Sequence, residues 1–309
     1  MTALGGPGTP DRGGLSSLPG SRARRKQEER ASALRSTLVA LVSTVVVFGV
    51  LGYVVVNSEG WPAVQASFFD WDIFRDALPD IAGAFLVNIQ LFVIAEILIL
   101  ALALVLAVAR SSTSAVLFPV RFMATIYVDV FRALPGVLVI YILGLGIPGL
   151  GLPGLPTDGF PYAVLALTLI YSAYVSEVYR AGIASIHPSQ AAAARSLGLT
   201  QFQALRYVVL PQAIRRVVPP LLNDFIGLQK DTVLVSYVGV VEIFRQAQII
   251  EAANFNFTPY LAVALVFLLV TIPLARFTDW LLLRQVRRER GGVAMATATG
   301  GGIAGAKGV

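Results

Sequence analysis

The stretch from Ala191 to Ala213, AAAARSLGLTQFQALRYVVLPQA, reads as two short helices joined at Gly198. Ser189 ahead of it is a favoured N-cap, and Gln190–Leu197 are good helix formers. Gly198 suits the left-handed residue that ends such a helix. Thr200 then caps a second helix, and Gln203 three residues on completes a capping box. Pro211 lacks an amide donor, so the second helix is expected to end or kink there. Leu199, Phe202, Leu205 and Val209 recur at helical spacing and give the pair one apolar face. Read alone, this is the pattern of a DNA-binding helix-turn-helix.

Its flanks argue against that reading. Long apolar runs lie on either side, near Phe160–Ala181 and Val217–Val241. The roughly 30 residues between them are too few for a soluble domain. The chain as a whole is 56% hydrophobic and 14% charged, with a mean hydropathy of +0.74, outside ordinary soluble composition. Further runs near Thr37–Asn57, Ile81–Ala109, Phe122–Ile147 and Pro259–Leu283 are about the 20 residues a bilayer-crossing helix needs. The reading is an all-α polytopic membrane protein with about six transmembrane helices. A cleaved signal peptide, cut after Val64–Ala66, is the rival for the first run. Its apolar length exceeds the roughly 7–15 residues of a signal core, so it is read as an uncleaved anchor.

The charges then set orientation. Of 24 Lys and Arg, nineteen fall in the two tails or in loops of one side. Arg75 and Arg245 fall on the other, where Glu59, Asp70, Asp72, Asp76 and Asp80 cluster. By the positive-inside rule, both termini and the 187–213 loop are cytoplasmic. Topology accounts for the net charge of +6, and no nucleic-acid partner is needed. The expected organisation is a disordered basic tail (1–36), a transmembrane anchor (37–57), an external loop (58–80), a core (81–285) carrying the 187–213 loop, and a disordered tail (286–309). The connection GIPGLGLPGLPTDGF is too rich in Gly and Pro to be helical.

Without cysteine, and with His187 the single histidine, neither disulfides nor a thiolate or histidine metal cluster is possible. His187 is read as an ordinary loop residue. The terminal GGGIAGAKG fails as a phosphate loop because Ala306 precedes the lysine. No catalytic or metal site and no bound cofactor are expected, and any ATP and Mg²⁺ must sit on another chain.

Ionisable groups at membrane depth cost roughly 2.5–3.5 kcal/mol on insertion scales and so face protein or water. Asp129 with Arg132, Glu177 with Arg180, and Arg276 with Asp279 lie at i,i+3 and are read as pairs that hold the bundle together. Pro135 is expected to kink the third span. Glu96, Lys230 and Asp231 lie deeper without an obvious local partner. Asn88, Glu96, Asp129, Arg132, Glu177, Asn223, Lys230 and Asp231 are the candidates for lining a substrate path. Five polar residues from Asn223 to Asp231 also suit a discontinuous helix.

The loop resembles the EAA loop of ABC-importer permeases, with pattern Glu-Ala-Ala, three residues, Gly, nine residues, Ile-x-Leu-Pro. Ala193 and Ala194 match, then Gly198, then Val208 to Pro211. YVDVFRALP, YVSEVYRAGI and PPLLNDFIGLQKDT are similar to the polar amino-acid subfamily (histidine, glutamate, glutamine, arginine, opines). The resemblance covers roughly residues 80–285. It implies a type I importer permease core with one extra N-terminal helix, in a bacterial cell membrane. Implied partners are an ABC ATPase dimer, a second permease, an extracytoplasmic solute-binding protein and a polar amino acid. It also implies ATPase coupling through Ser189, Ala192, Ala193, Ala194, Arg195, Gly198, Leu199, Leu210 and Pro211. The motif Glu is replaced by Ala192, read as position N3 of a helix capped by Ser189. Arg132 and Lys230 lean towards an acidic substrate such as glutamate. An ion- or proton-coupled secondary transporter with Glu96 and Asp231 as relay carboxylates is the alternative, and it leaves the loop unexplained.

Overall fold

A computed structural model describes the backbone of residues 19–112 and 114–300, and the side chains of 32–112 and 114–284. Among the described residues every regular element is helical. Four helices are long and apolar enough to cross a membrane, or six if each of two bent pairs is one span. The chain divides into two units, at Gln65 and Ala66.

The first unit is built on α1 (Pro19–Val56). Its side chains from Ser32 to Val56 are all exposed, as suits a helix with apolar groups all round. Its hydroxyls need no outside partner: Ser36 and Thr37 donate to the Ala33 carbonyl, and Ser43 and Thr44 to that of Ala40. The stretch 19–36, expected to be disordered, is helical. Its Arg, Lys, Gln, Glu and Ala are strong helix formers, and extending an existing helix avoids the nucleation penalty. Residues 1–18 lie outside the described ones.

The second unit begins within α2 (Trp61–Phe68), and α3 (Trp71–Ser111) follows at once. The external loop expected over 58–80 is therefore mostly helix. Asp70 explains the early start: its carboxylate accepts from the amides of Asp72 and Ile73 at 3.0 and 3.1 Å, which caps α3. The same segment is stitched to α12 (Thr258–Gly300). The Asp70 amide donates to Thr258 Oγ1, the Phe257 amide to the Ser67 carbonyl, and the Phe68 and Phe257 rings stack at 5.1 Å. The expectation of a disordered stretch from 286 is met by helix as far as Gly300; residues 301–309 lie outside the described ones.

The third span is not one kinked helix. α4 (Phe118–Ala133) and α5 (Gly136–Tyr141) are separated by an extended Leu134–Pro135 step, and the pair is bent by 105°. Proline's ring excludes the helical conformation of the residue before it, so Leu134 sits at ψ 138. A π turn (Ile142–Gly146) and a single turn, α6 (Ile147–Gly149), then lead into the Gly/Pro connection.

α7 (Gly159–Ala184) packs along α3. Leu91, Ala95, Ile99 and Ala103 repeat every fourth residue on α3 and meet Ala163, Ala166, Leu167 and Ile170 of α7 in one buried cluster. The alanines let the two backbones approach closely, the usual basis of helix packing in lipid. The chain then forms α8 (Pro188–Ser196), α9 (Gln201–Ala204), a π turn (Leu205–Val209) and α10 (Leu210–Asp231). α10 is followed by a 3₁₀ segment (Thr232–Val238), Gly239 at φ 82, and α11 (Ile243–Asn254). The bend there is 47°, so the discontinuity expected in the fifth span is present. α11 and α12 close over the other end of α3 through Ile81, Phe85, Ile243, Ala247, Ala262 and Val263.

Candidate functional site

The α8–α9 unit is built by local backbone chemistry. α8 is capped by His187 rather than Ser189: Pro188 occupies N1, where its missing amide is harmless, and the His187 Nδ1 lies 3.2 Å from the Ser189 amide. This moves the register. Gln190, not Ala192, stands at N3, and Ala192 is an exposed residue in the middle of α8. A Glu there would not close a capping box. Gly198 has φ +91. The Leu199 amide reaches the Ala194 carbonyl and the Gly198 amide that of Arg195, the paired bonds of a Schellman stop. The Thr200–Gln203 capping box is complete, at 2.9 and 3.2 Å. Replacing Thr200 by Ala should weaken this turn by about 1 kcal/mol. Faster amide exchange at Gln201–Ala204, with α7 unaffected, is the measurement that checks it.

The chain does not stop at Pro211 but stays helical through it. The π turn before it carries the chain into α10: the Leu210 amide bonds the Leu205 carbonyl, and Pro211 falls in α10's first turn. Gln212 Nε2 takes up the Val208 carbonyl at 2.8 Å. The extra residue shifts the helical phase and splits the expected apolar face. Leu199 and Val209 are half-buried, whereas Phe202 and Leu205 point outward. Leu197, 82% exposed, and Phe202, 67% exposed, are the most outward apolar side chains of this unit, with Tyr207 exposed beneath the Arg206 guanidinium. Ala194 and Ala204 are the unit's buried underside; Ala192, Ala193, Arg195, Gly198, Leu210 and Pro211 are exposed.

The candidates at membrane depth differ in their surroundings. Asn88 is 2% exposed and is the centre of a buried joint. Its Nδ2 donates to Glu242 Oε2 at 2.8 Å and to Thr232 Oγ1 at 3.1 Å, and its Oδ1 accepts from the Ile243 amide at 3.0 Å. Glu242, fully buried, also caps α11 by accepting from the amides of Phe244 and Arg245. Thr232 passes its own hydroxyl hydrogen to the Gln229 carbonyl, and Gln229 Oε1 accepts from Thr271. Burying an amide is costly unless its groups are paired, and in this joint both the donor and the acceptor ends of Asn88 are; Gln229 Nε2 at its edge is left without a partner.

Three further acids are Glu96, Asp224 and Asp231. Glu96 on α3 is half-buried. Asp231 Oδ2 accepts from Tyr171 at 2.7 Å. Asp224 Oδ2 is buried without a hydrogen-bond partner. Asn223, Lys230, Asp129 and Arg132 are exposed. The expected Asp129–Arg132 pair does not form. Arg132 sits in the last turn of α4, where a cation suits the carbonyl end of the helix, and its guanidinium lies 5.8 Å over the Tyr174 ring instead.

Glu177 stands apart as an ion-pair partner, 23% exposed. It meets Arg180 on its own helix, as expected, and also Arg110 at the end of α3, 2.7 Å away. The Arg276–Asp279 pair is present at 3.9 Å, with both side chains largely exposed. Sequence reasoning missed Glu242, Tyr171 and Arg110. The signal for Glu242 was an acid three residues after Gly239 and directly ahead of a helical pattern.

Residues 102–287 match the family model described as binding-protein-dependent transport system inner membrane component. The probable amino-acid permease protein YxeN of Bacillus subtilis is 33% identical over 204 residues, 66% of this chain and 90% of that protein. The probable glutamine ABC transporter permease protein GlnM of Bacillus subtilis is 36% identical, covering 61% and 87%. The glutamate/aspartate import permease protein GltK of Escherichia coli O157:H7 is 34% identical, covering 59% and 82%. Among solved structures, an amino acid ABC transporter crystallised with histidines is similar at TM-score 0.64 and 30% identity, over 70% of this chain and 98% of that one.

Proposed function

This chain belongs to the family of binding-protein-dependent transport system inner membrane components, as the permease subunit of an amino-acid ABC importer, and from that premise we propose that its 189–211 loop couples ATP hydrolysis on a separate ATPase dimer to alternating access. The observation that carries the coupling reading is the exposure of Leu197, Phe202 and Tyr207, held outward by the Schellman stop and the capping box. Apolar side chains presented in this way fit a groove on a partner protein. ATP and Mg²⁺ belong to that partner, and this chain performs no covalent chemistry. Both termini and the loop face the cytoplasm, as the Lys/Arg distribution favours. An extracytoplasmic solute-binding protein delivers the substrate.

The transported molecule is a polar amino acid. Arg132 and Lys230, both exposed at membrane depth, support a lean towards glutamate, and the substrate path runs past them together with Asp129 and Asn223. These exposed polar groups need water or protein around them in a bilayer, which supports a second permease subunit alongside. Ala192 stands exposed where the family motif has Glu, so it alters the surface offered to the ATPase and not the stability of α8. That arrangement suits a heterodimer whose other permease keeps the Glu.

Uptake in proteoliposomes containing the ATPase and the binding protein, competed with a panel of amino acids, tests substrate and coupling together. Gly198→Val places a β-branched residue at φ +91, which costs about 1–2 kcal/mol locally and turns the loop's apolar side chains away. Uptake should fall at least about tenfold while the chain stays inserted. Normal uptake by this variant would remove the coupling assignment, and uptake that runs without ATP would remove the importer reading.

A further inference from the structure

The end of α7 is fixed to the coupling loop on one side and to α10 on the other. α7 runs into α8 through Ser185, Ile186 and His187, with the Ser185 amide bonded to the Ala181 carbonyl. Arg216 of α10 donates to the Ser185 carbonyl at 2.9 Å. At Gly182 the two helices touch so closely that a Cβ would overlap Val217 Cγ2. The last turns of α7 are thus held against the first turns of α10, and α8 follows α7 after a three-residue linker.

α7 also packs on α3 along its apolar face, and at the end nearest α8 a polar contact is added to that packing. Past the small apolar cluster of Leu106 and Ala173, the polar connection at this end is Arg110 Nη1 to Glu177 Oε2, at 2.7 Å. Arg110 lies in the last turn of α3 with its side chain 12% exposed, and Glu177 is 23% exposed. A partly buried, charge-assisted bond of this length is among the stronger directional contacts available between helices. Arg180 also bonds Glu177, but from the same helix, so it cannot carry motion between helices.

We propose that the Arg110–Glu177 pair is the transmission element of the import cycle, carrying displacement of the coupling loop from α7 into α3. Both are positioning residues and neither contacts substrate. This rests on the coupling reading given above.

The test uses the full permease reconstituted with its partner permease, ATPase and binding protein in proteoliposomes. The readout is amino acid imported per ATP hydrolysed, beside the melting temperature of each variant. Arg110→Gln should lower that ratio about tenfold with ATP hydrolysis and melting temperature largely kept. Arg180→Gln, which breaks only the bond within α7, should stay within about twofold of wild type. Arg110→Lys, retaining charge but not the planar fork, should fall between them. A wild-type ratio in Arg110→Gln overturns the transmission role. So do equal losses in Arg110→Gln and Arg180→Gln, or a loss that merely follows a lowered melting temperature. Wild-type uptake that proceeds without ATP overturns the coupling reading and this proposal together.

Discussion

Glu242→Ala should lower the stability of the chain by about 3–5 kcal/mol, the largest effect expected of any single side chain here. The carboxylate is fully buried and accepts from three donors: Asn88 Nδ2 and the amides of Phe244 and Arg245. Truncation of this buried group leaves these donors without an acceptor. Each orphaned donor costs about 1–3 kcal/mol, and the loss of the α11 cap adds about 1 kcal/mol to that. Glu242→Gln should cost less, since one carbonyl oxygen still accepts. It still loses ground, because its new amide hydrogens face donors. Asn88→Leu removes the same joint from the other side. The double variant should therefore fall well short of the sum of the two single losses. Thermal unfolding in detergent checks this, and a Glu242→Ala loss below about 1 kcal/mol would contradict the joint.

Gly144→Ala should be the most damaging addition of a single methyl group. A Cβ there would stand 2.6, 2.7 and 2.9 Å from Cγ1, Cβ and Cγ2 of Val238. Because all three atoms are too close, no rotation of the valine relieves the clash. Val238 cannot retreat either: its carbonyl oxygen lies 2.7 Å from where a Cβ on Gly159 would be. The residue that ends the 3₁₀ segment is thus held between two glycines. Overpacking of this kind costs about 1–3 kcal/mol, and here the strain falls on the break between α10 and α11. Gly144→Ala should lower both the melting temperature and uptake. Val238→Ala in the same chain should recover part of each by removing both γ-methyl groups. Gly149→Ala, at a position with open space around it, is the matched control and should change neither.

These two sites also mark where reading the sequence stops. The Gly198 stop and the Thr200–Gln203 box were legible because capping is settled within about six residues of chain. The spans were legible because a bilayer sets their length. The interruption in the fifth span was foreshadowed by its polar run from Asn223 to Asp231. Asn88 and Glu242, by contrast, are 154 residues apart, and no local pattern announces that an amide on one span will meet an acid beyond another. Arg110 and Glu177 stand 67 residues apart and were unreadable for the same reason. Where local rules compete, the outcome also eluded the sequence. Ser189 is the better cap by type, yet Pro188 hands that place to His187. Pro135 promised a kink, but its constraint on Leu134 opened a full break. At Pro211 a π turn absorbed the missing donor and rotated the outward face.

The length of α3 has a mechanical meaning. Its 41 residues, with Pro79 inside the helix, have a length along the helix axis of about 60 Å, roughly twice the thickness of the hydrocarbon slab. The bilayer can hold only the middle of such a helix. One end is clasped by α11 and α12, and the other ends at Arg110. A pivot of one degree at either end displaces the opposite tip by about 1 Å, at the 1.5 Å rise per residue of a helix. Angular changes too small to disturb the packing along its middle are therefore magnified into ångström strokes at its tips. α3 has the geometry of a crank.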